Sequence, residues 1–352
     1  MDRSQRYMTL DLKMTTTIEI GALDNKKKDT FVRRGEEDAT VSNLKRNKCS
    51  IRTFRMTMAL FSCDGYSSPT RKGLRSLLAC IPDMNQLEDV ELGGGMLIEN
   101  NHDVDILTAA FRDHGSLRKI TLDDFIVYAT EFPKNGAHDN SSPLLEPLFL
   151  ETSSSLLLLE SLNLKCYACH KRWTQSFVSP TALIPLCQST SLQTLTLSNL
   201  GLTDDHFMLL ADQIAQTKGS VLTELVLNDN RNSDKGIYAI VNALLSKDSI
   251  IEKLEMLNNR RPNKCTSELL LDRLETNYTI KHLKINSQHQ YRNRIEFYLL
   301  LNRMGRKTMS DPKVKQDDFL AILENSKDNP SLFMYFLREN PSFIFGKNLK
   351  VR

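Results

Sequence analysis

The sequence predicts an α/β solenoid, a stack of strand–loop–helix units with a parallel sheet on the concave side and helices on the convex side. One observation is a recurring pattern, apolar-x-x-apolar-x-apolar, whose clearest copies begin 30, 29 and 29 residues apart, at Leu192, Leu222, Ile251 and Ile280. A second is helical periodicity between the copies, as in residues 207–214. A period this constant over four units is hard to obtain by chance and is typical of stacked repeats.

The same pattern continues upstream with less regular spacing. Its apolar triplets are Leu159/Leu162/Leu164, Leu117/Ile120/Leu122, Leu87/Val90/Leu92 and Ile51/Phe54/Met56, with a weaker copy at Thr15/Ile18/Ile20. A Ser or Thr directly precedes the first apolar position in four copies, at Ser50, Ser116, Ser191 and Thr279. These recurring features predict about seven or eight strands, each followed by a helix.

The spacing of strands and helices predicts the curvature. One strand–helix unit cannot bury its own apolar stripe, so it must stack on its neighbours. Strands stack about 4.8 Å apart, whereas packed helices need about 8–10 Å. The stack must therefore bend, with the strands inside and the helices outside, and one face of the sheet stays open along the concave side.

Two repeats carry an asparagine at the ninth position. Leu222-x-x-Leu225-x-Leu227-x-x-Asn230 matches the pattern L-x-x-L-x-L-x-x-N throughout, and the copy from Ile251 to Asn259 matches it with conservative changes. These residues resemble the leucine-rich-repeat family, in its ribonuclease-inhibitor-like subtype. The resemblance implies a horseshoe-shaped leucine-rich-repeat solenoid that recognises proteins, without naming the partner. The asparagine suits hydrogen bonding to loop backbone in stacked turns.

The repeat sets the expected domain boundaries. Residues 1–37 are predicted to be a basic, partly disordered arm, and residues 38–290 the solenoid. The unit from Leu117 to Leu159 is 42 residues long, and its excess is predicted to be a surface insertion at 133–155. Residues 291–340 are expected to form a helical cap, and 341–352 a tail. The basic residues of this end are predicted to be solvated, at Arg292, Arg294, Arg303, Arg306 and Lys307.

Composition narrows the expected partners. The chain has 352 residues with 46 Lys+Arg against 43 Asp+Glu, a net charge of +3 that is too small to indicate nucleic acid or a membrane surface. The charged N-terminus does not fit a secretory signal, and no apolar run approaches the roughly 18–20 residues of a membrane span. Seven scattered cysteines fit reduced thiols. We therefore expect a cytoplasmic protein, with the nucleus as the alternative compartment.

One motif indicates metal or haem chemistry. The chain contains a literal C-x-x-C-H, the pattern of covalent haem attachment, at Cys166-Tyr167-Ala168-Cys169-His170. Structural zinc at the same cysteines would need two further ligands, and no second C-x-x-C pair exists. We favour ordinary loop cysteines, with zinc or haem binding as an alternative. No metalloprotease, nucleophile-elbow or phosphate-loop motif is present. The prediction is a protein that is not an enzyme and uses no cofactor or small-molecule substrate.

The concave face is the predicted binding site. Reading the side chains between the buried positions of each copy gives a mixed, polar set of candidate partner-binding residues: Glu91, Arg118, Thr121, Asn163, Thr196, Glu224, Val226, Asp229, Glu255 and Lys284. Aromatic and Arg anchors, which dominate tight interfaces, are scarce in it. We therefore expect a monomeric, non-catalytic interaction or scaffold protein. It would bind its protein partner on this face or through the 133–155 insertion. The alternative is that the concave face is only solvated and binds nothing.

A GTPase-activating regulator is the second functional hypothesis. Some proteins of this repeat subtype accelerate nucleotide hydrolysis by a partner GTPase. Such an activity would need an exposed arginine in an early strand-to-helix loop, and the available arginines are Arg52, Arg55, Arg71 and Arg112.

Overall fold

A single sheet organises the chain in this computed structural model. The structure describes residues 6–13, 16–22, 53–57, 78–93, 97–98, 101–112, 114–127, 145–150, 158–169, 176–246, 248–287, 289–309 and 315–340. Eleven strands lie within these ranges: β1 (Arg6–Lys13), β2 (Thr16–Ala22), β3 (Thr53–Thr57), β4 (Asp89–Gly93), β5 (Leu97–Ile98), β6 (Lys119–Val127), β7 (Ser161–Cys169), β8 (Thr194–Ser198), β9 (Glu224–Val226), β10 (Lys253–Met256) and β11 (His282–Ile285).

The strand order follows the chain almost without exception. The sheet runs β11-β10-β9-β8-β7-β6-β4-β3-β1-β2, and β5 pairs with the far end of β6. From β3 to β11 every pairing is parallel, because each connection brings the chain back to the end of the sheet where the previous strand began. The predicted parallel α/β sheet is confirmed.

Helices separate the strands and then continue beyond them. Within the described residues they are α1 (Asn101–Phe111), α2 (Glu146–Leu150), α3 (Ile184–Cys187), α4 (Asp204–Gln216), α5 (Asp234–Leu244), α6 (Lys264–Thr276), α7 (His289–Arg303), α8 (Arg306–Met309), α9 (Gln316–Ser326) and α10 (Pro330–Glu339). Short 3-10 turns lie at Ile81–Asp83 and Thr181–Leu183. None of the described helices combines the length and apolar character needed to cross a membrane.

The core lies between one face of the sheet and the helices. The three apolar positions of each copy from Leu87 to Met256 are buried, and they share one cluster with apolar helix residues such as Phe207 and Ile237. Strand side chains alternate between the two faces. The helices therefore cover one face, and the other, here called the open face, carries the intervening polar residues.

Side-chain hydrogen bonds tie neighbouring repeats together at both ends of the strands. At the start, the hydroxyls of Ser116, Ser191 and Thr279 donate to carbonyl oxygens of the preceding repeat at 2.8–2.9 Å. Past the strand ends, the buried ninth-position amides of Asn230 and Asn259 bond to loop and strand backbone. The predicted hydrogen-bonding role of the ninth-position asparagine is confirmed in these two repeats.

The N-terminal segment differs from its predicted role. We expected residues 1–37 to form an arm outside the repeats, but β1 and β2 within it pair as an antiparallel hairpin, and β1 also pairs antiparallel with β3. The boundary at residue 38 therefore does not separate an arm from the sheet. The weak copy at residues 15–20 does overlap a strand, but an antiparallel one.

The long unit between β6 and β7 contains its own helix. The predicted insertion at 133–155 includes α2, and Leu148 and Phe149 of this helix are buried in the core at 5% and 1% exposure. This part is therefore the helix of its repeat, shortened to five residues, on the covered side of the sheet, and not a surface loop. Residues 133–144 and 151–155 lie outside the described residues.

The C-terminal helices form a second apolar cluster. Leu301, Met309, Phe319, Leu332 and Phe336 are buried together there. The sheet has already ended at Ile285, so α7–α10 pack beside the last repeat. Arg306 lies within this region and is 6% exposed. Its prediction as part of a solvated basic patch was wrong. The tail predicted at 341–352 lies outside the described residues.

Candidate functional site

The register of the parallel strands aligns seven of the predicted binding residues. Successive pairings join these residues side by side across the sheet: Glu91, Thr121, Asn163, Thr196, Val226, Glu255 and Lys284. Each residue lies between the second and third apolar positions of its repeat pattern. This shared position in the pattern becomes a continuous row in the structure. We call it the central row.

A second row runs beside the central row on the same face, two residues earlier in each strand. It consists of Asp89, Lys119, Ser161, Thr194, Glu224, Lys253 and His282. Because strand side chains have a period of two, both rows point away from the helices. Among the described residues no helix or strand packs over them, and the open face is a broad polar surface.

Two predicted residues lie beyond the rows. Arg118 directly precedes β6, is half-buried, and donates from Nη1 to the carbonyl oxygen of Leu158 at 3.2 Å. Asp229 follows β9 with a positive φ of 60°, and its carboxylate accepts from Asn258 Nδ2 at 2.8 Å. They flank opposite ends of the strands, so the structure does not bring them together with the central row.

Glu255 is the centre of an ionic cluster at the β9–β11 end of the open face. Its Oε1 lies 3.0 Å from His282 Nε2, 3.4 Å from Lys284 Nζ and 3.8 Å from Lys253 Nζ. Its Oε2 accepts a hydrogen bond from Asn228 Nδ2 at 3.3 Å. The carboxylate is thus surrounded by donors, and its residue is only 9% exposed.

Opposing effects set the pKa of Glu255. Burial raises the pKa, but the hydrogen bond from Asn228 and the positive charges of Lys284 and Lys253 together outweigh burial, and the pKa lies below its ordinary value. The group is ionised at neutral pH and holds its neighbours in place. Such a carboxylate is suited to fixing the shape of a surface and not to taking up protons near neutral pH.

Further ion pairs neutralise most of the charge around this cluster. Glu224 pairs with Lys253 at 3.2 Å, and Glu252 with Lys281 at 2.9 Å. Toward the middle of the sheet, Asp123 lies 3.2 Å from Lys165. The charged parts of the open face are therefore largely self-paired. Between them lies an uncharged stretch of hydroxyl and amide groups: Thr121, Ser161, Asn163, Thr194 and Thr196.

The residues proposed for other chemistries are placed differently. Cys166 is buried at 3% exposure and Cys169 is in the same strand, so the C-x-x-C pair lies within β7 and not in the expected loop. Across the described residues, no three or more His, Cys, Asp or Glu side chains are grouped as metal ligands; His170 lies outside them. Arg55 lies within β3 and Arg112 directly follows α1, so neither occupies a strand-to-helix loop. Arg52 and Arg71 lie outside the described residues.

Two features of this surface were missed in the sequence. The residue before the ninth position adopts a positive φ in three successive repeats, at Asn199, Asp229 and Asn258. Asn and Asp tolerate this left-handed backbone better than other non-glycine residues, so the recurring Asx at the eighth position was the available signal. Asn228, which orients Glu255, also accepts a hydrogen bond from the Leu257 amide at 2.6 Å. It follows β9 and shows no recurrence that could have marked it.

Neither a family model nor a curated protein matches this sequence. Solved structures do match. Actin-binding site 2 of leiomodin-1 has a TM-score of 0.33 and 22% identity, covering 37% of this chain and 77% of that chain. A protein from Bacteroides fragilis has a TM-score of 0.27 and 12% identity, covering 67% of this chain and 78% of that chain. At these scores neither neighbour supports an argument about the function of this chain.

Proposed function

We propose that this chain is a leucine-rich-repeat horseshoe of the ribonuclease-inhibitor-like subtype and acts as a non-catalytic protein-interaction module. The open face is then its concave side. The 29–30-residue period, the parallel register and the ninth-position hydrogen bonds of Asn230 and Asn259 support this assignment. No enzyme activity is part of the proposal.

The central row is the observation that carries the proposal. Parallel sheets are ordinarily covered on both faces. Here seven neighbouring strands present an aligned row of side chains, polar except for Val226, on a face that no described helix or strand covers. A folded surface of this kind offers a rigid array of hydrogen-bonding groups to a partner protein.

The distribution of charge indicates where the partner docks. At the β9–β11 end, a partner would have to compete with the ion pairs around Glu255. At Asn163 and Thr196 it would meet uncharged donors and acceptors instead, and would desolvate fewer fixed charges. We therefore place the docking site over β6–β8. The scarcity of aromatic anchors there predicts modest affinity.

A steric block of the central row tests the proposal. The double substitution Asn163→Arg and Thr196→Arg places two long side chains on the docking site. The control, Asp212→Arg and Gln216→Arg, adds two arginines at exposed positions of α4 on the helical side. Tagged wild type and both variants are purified from cells, and the bound proteins are quantified after circular dichroism has shown equal folding.

Partners lost only from the central-row variant support binding on the open face. Equal recovery with both variants contradicts it. A partner lost only from the control would instead place the interaction on the helices.

A further inference from the structure

The strand-to-helix loops of the last repeats carry an unusual excess of positive charge. Because β9, β10 and β11 are parallel, their C-terminal ends meet at one edge of the sheet, where α5, α6 and α7 begin. We call residues 228–235, 257–264 and 286–294 the loop rim. It contains seven Lys and Arg residues and two acidic residues, whereas the segment around the start of α4, residues 199–206, contains two aspartates and no Lys or Arg. The charge is therefore local to one end of the stack.

Three arginines form the centre of the loop rim. Arg231 and Arg260 each directly follow a ninth-position asparagine, so they occupy equivalent positions in neighbouring repeats, and Arg261 is adjacent. All three are exposed. Neighbouring strands lie about 4.8 Å apart, so the side chains of the two equivalent arginines extend from the surface side by side.

Rigid backbone holds these arginines in place. Asn230 and Asn232 on either side of Arg231 are buried, and the amide of Arg231 donates to the Leu202 carbonyl at 2.8 Å. Arg260 follows buried Asn259, and Pro262 behind Arg261 is also buried. The three guanidinium groups are thus mounted on ordered loops, which lowers the entropy lost when a ligand binds them.

The acidic groups of the loop rim accept hydrogen bonds from neutral groups and do not pair with the arginines. Asp234 accepts from the Asn263 amide at 2.7 Å and from the Thr266 hydroxyl at 3.0 Å, and Asp229 accepts from the Asn258 side chain at 2.8 Å. Within the part of the chain that the structure describes, the guanidinium groups of Arg231, Arg260 and Arg261 have no hydrogen bond or ion pair. The positive ends of three helix dipoles add to their charge.

We propose that the loop rim is a second interaction surface that binds an acidic segment of a partner protein. Arginine pairs with carboxylates through two parallel hydrogen bonds, and alternate side chains of an extended peptide are about 7 Å apart, a spacing that neighbouring arginines can match. A nucleic-acid strand would need a longer positive track, because it carries a phosphate about every 3.4 Å. The Asp204 and Asp205 carboxylates at the start of α4 interrupt such a track. This surface is separate from the open face and goes beyond the function proposed for it.

Peptide binding by the full chain tests the proposal. The probe is a short fluorescein-labelled peptide of alternating Glu and Ser, titrated at low ionic strength and followed by anisotropy. The triple variant Arg231→Glu, Arg260→Glu, Arg261→Glu should weaken binding about tenfold or more, because attraction becomes repulsion. The matched control reverses three exposed lysines elsewhere, Lys218, Lys307 and Lys315, and should bind like the wild type.

Each remaining outcome decides the question. Equal weakening by both triple variants would reduce the effect to net charge and overturn the site. No binding by the wild type, or tighter binding of a single-stranded oligonucleotide of equal charge, would overturn the partner class. If the Glu triple variant fails to fold, the Gln triple variant at the same positions should still weaken binding. The central-row variant Asn163→Arg with Thr196→Arg should bind the peptide normally, which separates this surface from the open face.

Discussion

Asn230 joins three consecutive repeats through its side chain and its backbone amide. Its Nδ2 donates to the Leu197 carbonyl of the preceding repeat at 2.8 Å and to the Leu227 carbonyl at 3.0 Å. Its Oδ1 accepts from the Leu200 and Leu202 amides at 3.1 and 3.2 Å. The backbone amide of Asn230 in turn donates to the side chain of Asn259, in the next repeat, at 2.9 Å. Since all these groups are buried, they have no access to water as a replacement partner.

Replacing Asn230 with alanine should therefore destabilise the fold strongly. Asn230→Ala leaves buried amides and carbonyls unpaired, and we expect the free energy of unfolding to fall by about 2–4 kcal/mol. The control is Asn242→Ala, which removes an exposed amide on α5 and should change stability by roughly 0.5 kcal/mol or less. Urea denaturation measures both. Equal, small effects would show that the buried network contributes little.

His206 makes the stability of the chain depend on pH. Its Nδ1 accepts from the Thr203 amide at 3.2 Å, and its Nε2 donates to the Val178 carbonyl at 2.7 Å, so the neutral ring satisfies both nitrogens. Burial lowers the pKa of His206 below its usual value of 6.5, and the Val178 hydrogen bond and the charge of Asp205 offset only part of this shift.

Acidification should therefore weaken the native state through His206. Because the folded pKa is lower than the unfolded one, the unfolded chain binds the proton more tightly. The contribution of neutral His206 to the free energy of unfolding is fully present above about pH 6.5 and is lost as the pH falls toward the folded pKa. We expect the urea midpoint to drop less between pH 7.5 and 5.5 in His206→Gln, whose amide oxygen can still accept from Thr203. Identical pH dependence in the variant and the wild type would contradict this assignment.

At the scale of elements, helix starts are linked from one repeat to the next by aspartates. Asp204, the first residue of α4, accepts from the Ser233 amide at 2.7 Å and the Gly236 amide at 2.9 Å, at the start of α5. Asp234, the first residue of α5, does the same for α6 through Asn263 and Thr266. Each carboxylate thus lies near the positive ends of two helices, where negative charge is stabilising.

This close approach explains the glycine in the first turn of α5. A Cβ at position 236 would lie 2.7 Å from Asp204 Oδ1 and 3.1 Å from Phe207 Cβ. Gly236→Ala should destabilise the chain by about 1–2 kcal/mol despite the better helix propensity of alanine, because the aspartate must move. Gly115→Ala is the control, since a Cβ there meets nothing within 4 Å. Thermal unfolding of both variants would contradict this account if Gly236→Ala were the more stable one.

The strands were predictable from sequence because their signal is periodic. Each buried triplet repeats its spacing, so both the parallel order and the central row from Glu91 to Lys284 follow from counting residues. The contacts around Glu255 were not predictable. Its neighbours Lys284 and His282 are 29 and 27 residues away, and the sequence does not indicate that two lysines and a histidine converge on one carboxylate.

Elements without a period were predicted less well. The segment around α2 contains Pro and Ser before the helix and Ser after it, which resembles a loop, yet Leu148 and Phe149 fill the core. The hairpin of β1 and β2 lies in a charged segment with no clear repeat, and its antiparallel pairing comes from the short connection between the strands. Tertiary packing decided the first case, and the second was missed because the charged segment carries no repeat.

At the scale of the whole molecule, Arg306 fastens the C-terminal helices to the repeats. Its guanidinium donates to the carbonyl oxygens of Leu274 and Glu275 at the end of α6, and to the Tyr335 hydroxyl of α10 at 3.1 Å. It also stacks 4.6 Å from the ring centroid of Tyr278. A positive charge at a helix C-terminus is favourable, and here it is held between the last repeat and the helical cluster that covers it.

Loss of Arg306 should therefore uncouple the C-terminal helices from the repeats. Arg306→Gln cannot bridge the α6 carbonyls and Tyr335 together, and we expect the free energy of unfolding to fall by about 3 kcal/mol. Hydrogen exchange should increase in α9, in α10 and at the end of α6, while amides of β7 and β8 keep their protection. The control is Arg303→Gln, an exposed residue that donates to the Lys281 carbonyl at 3.2 Å and pairs with Glu296 at 3.9 Å, in place of the three acceptors of Arg306. If Arg306→Gln left exchange in α9 and α10 unchanged, or if Arg303→Gln increased it equally, these helices would be held by apolar packing and not by Arg306. An increase across the whole sheet would instead mean that the cap and the repeats unfold as one cooperative unit.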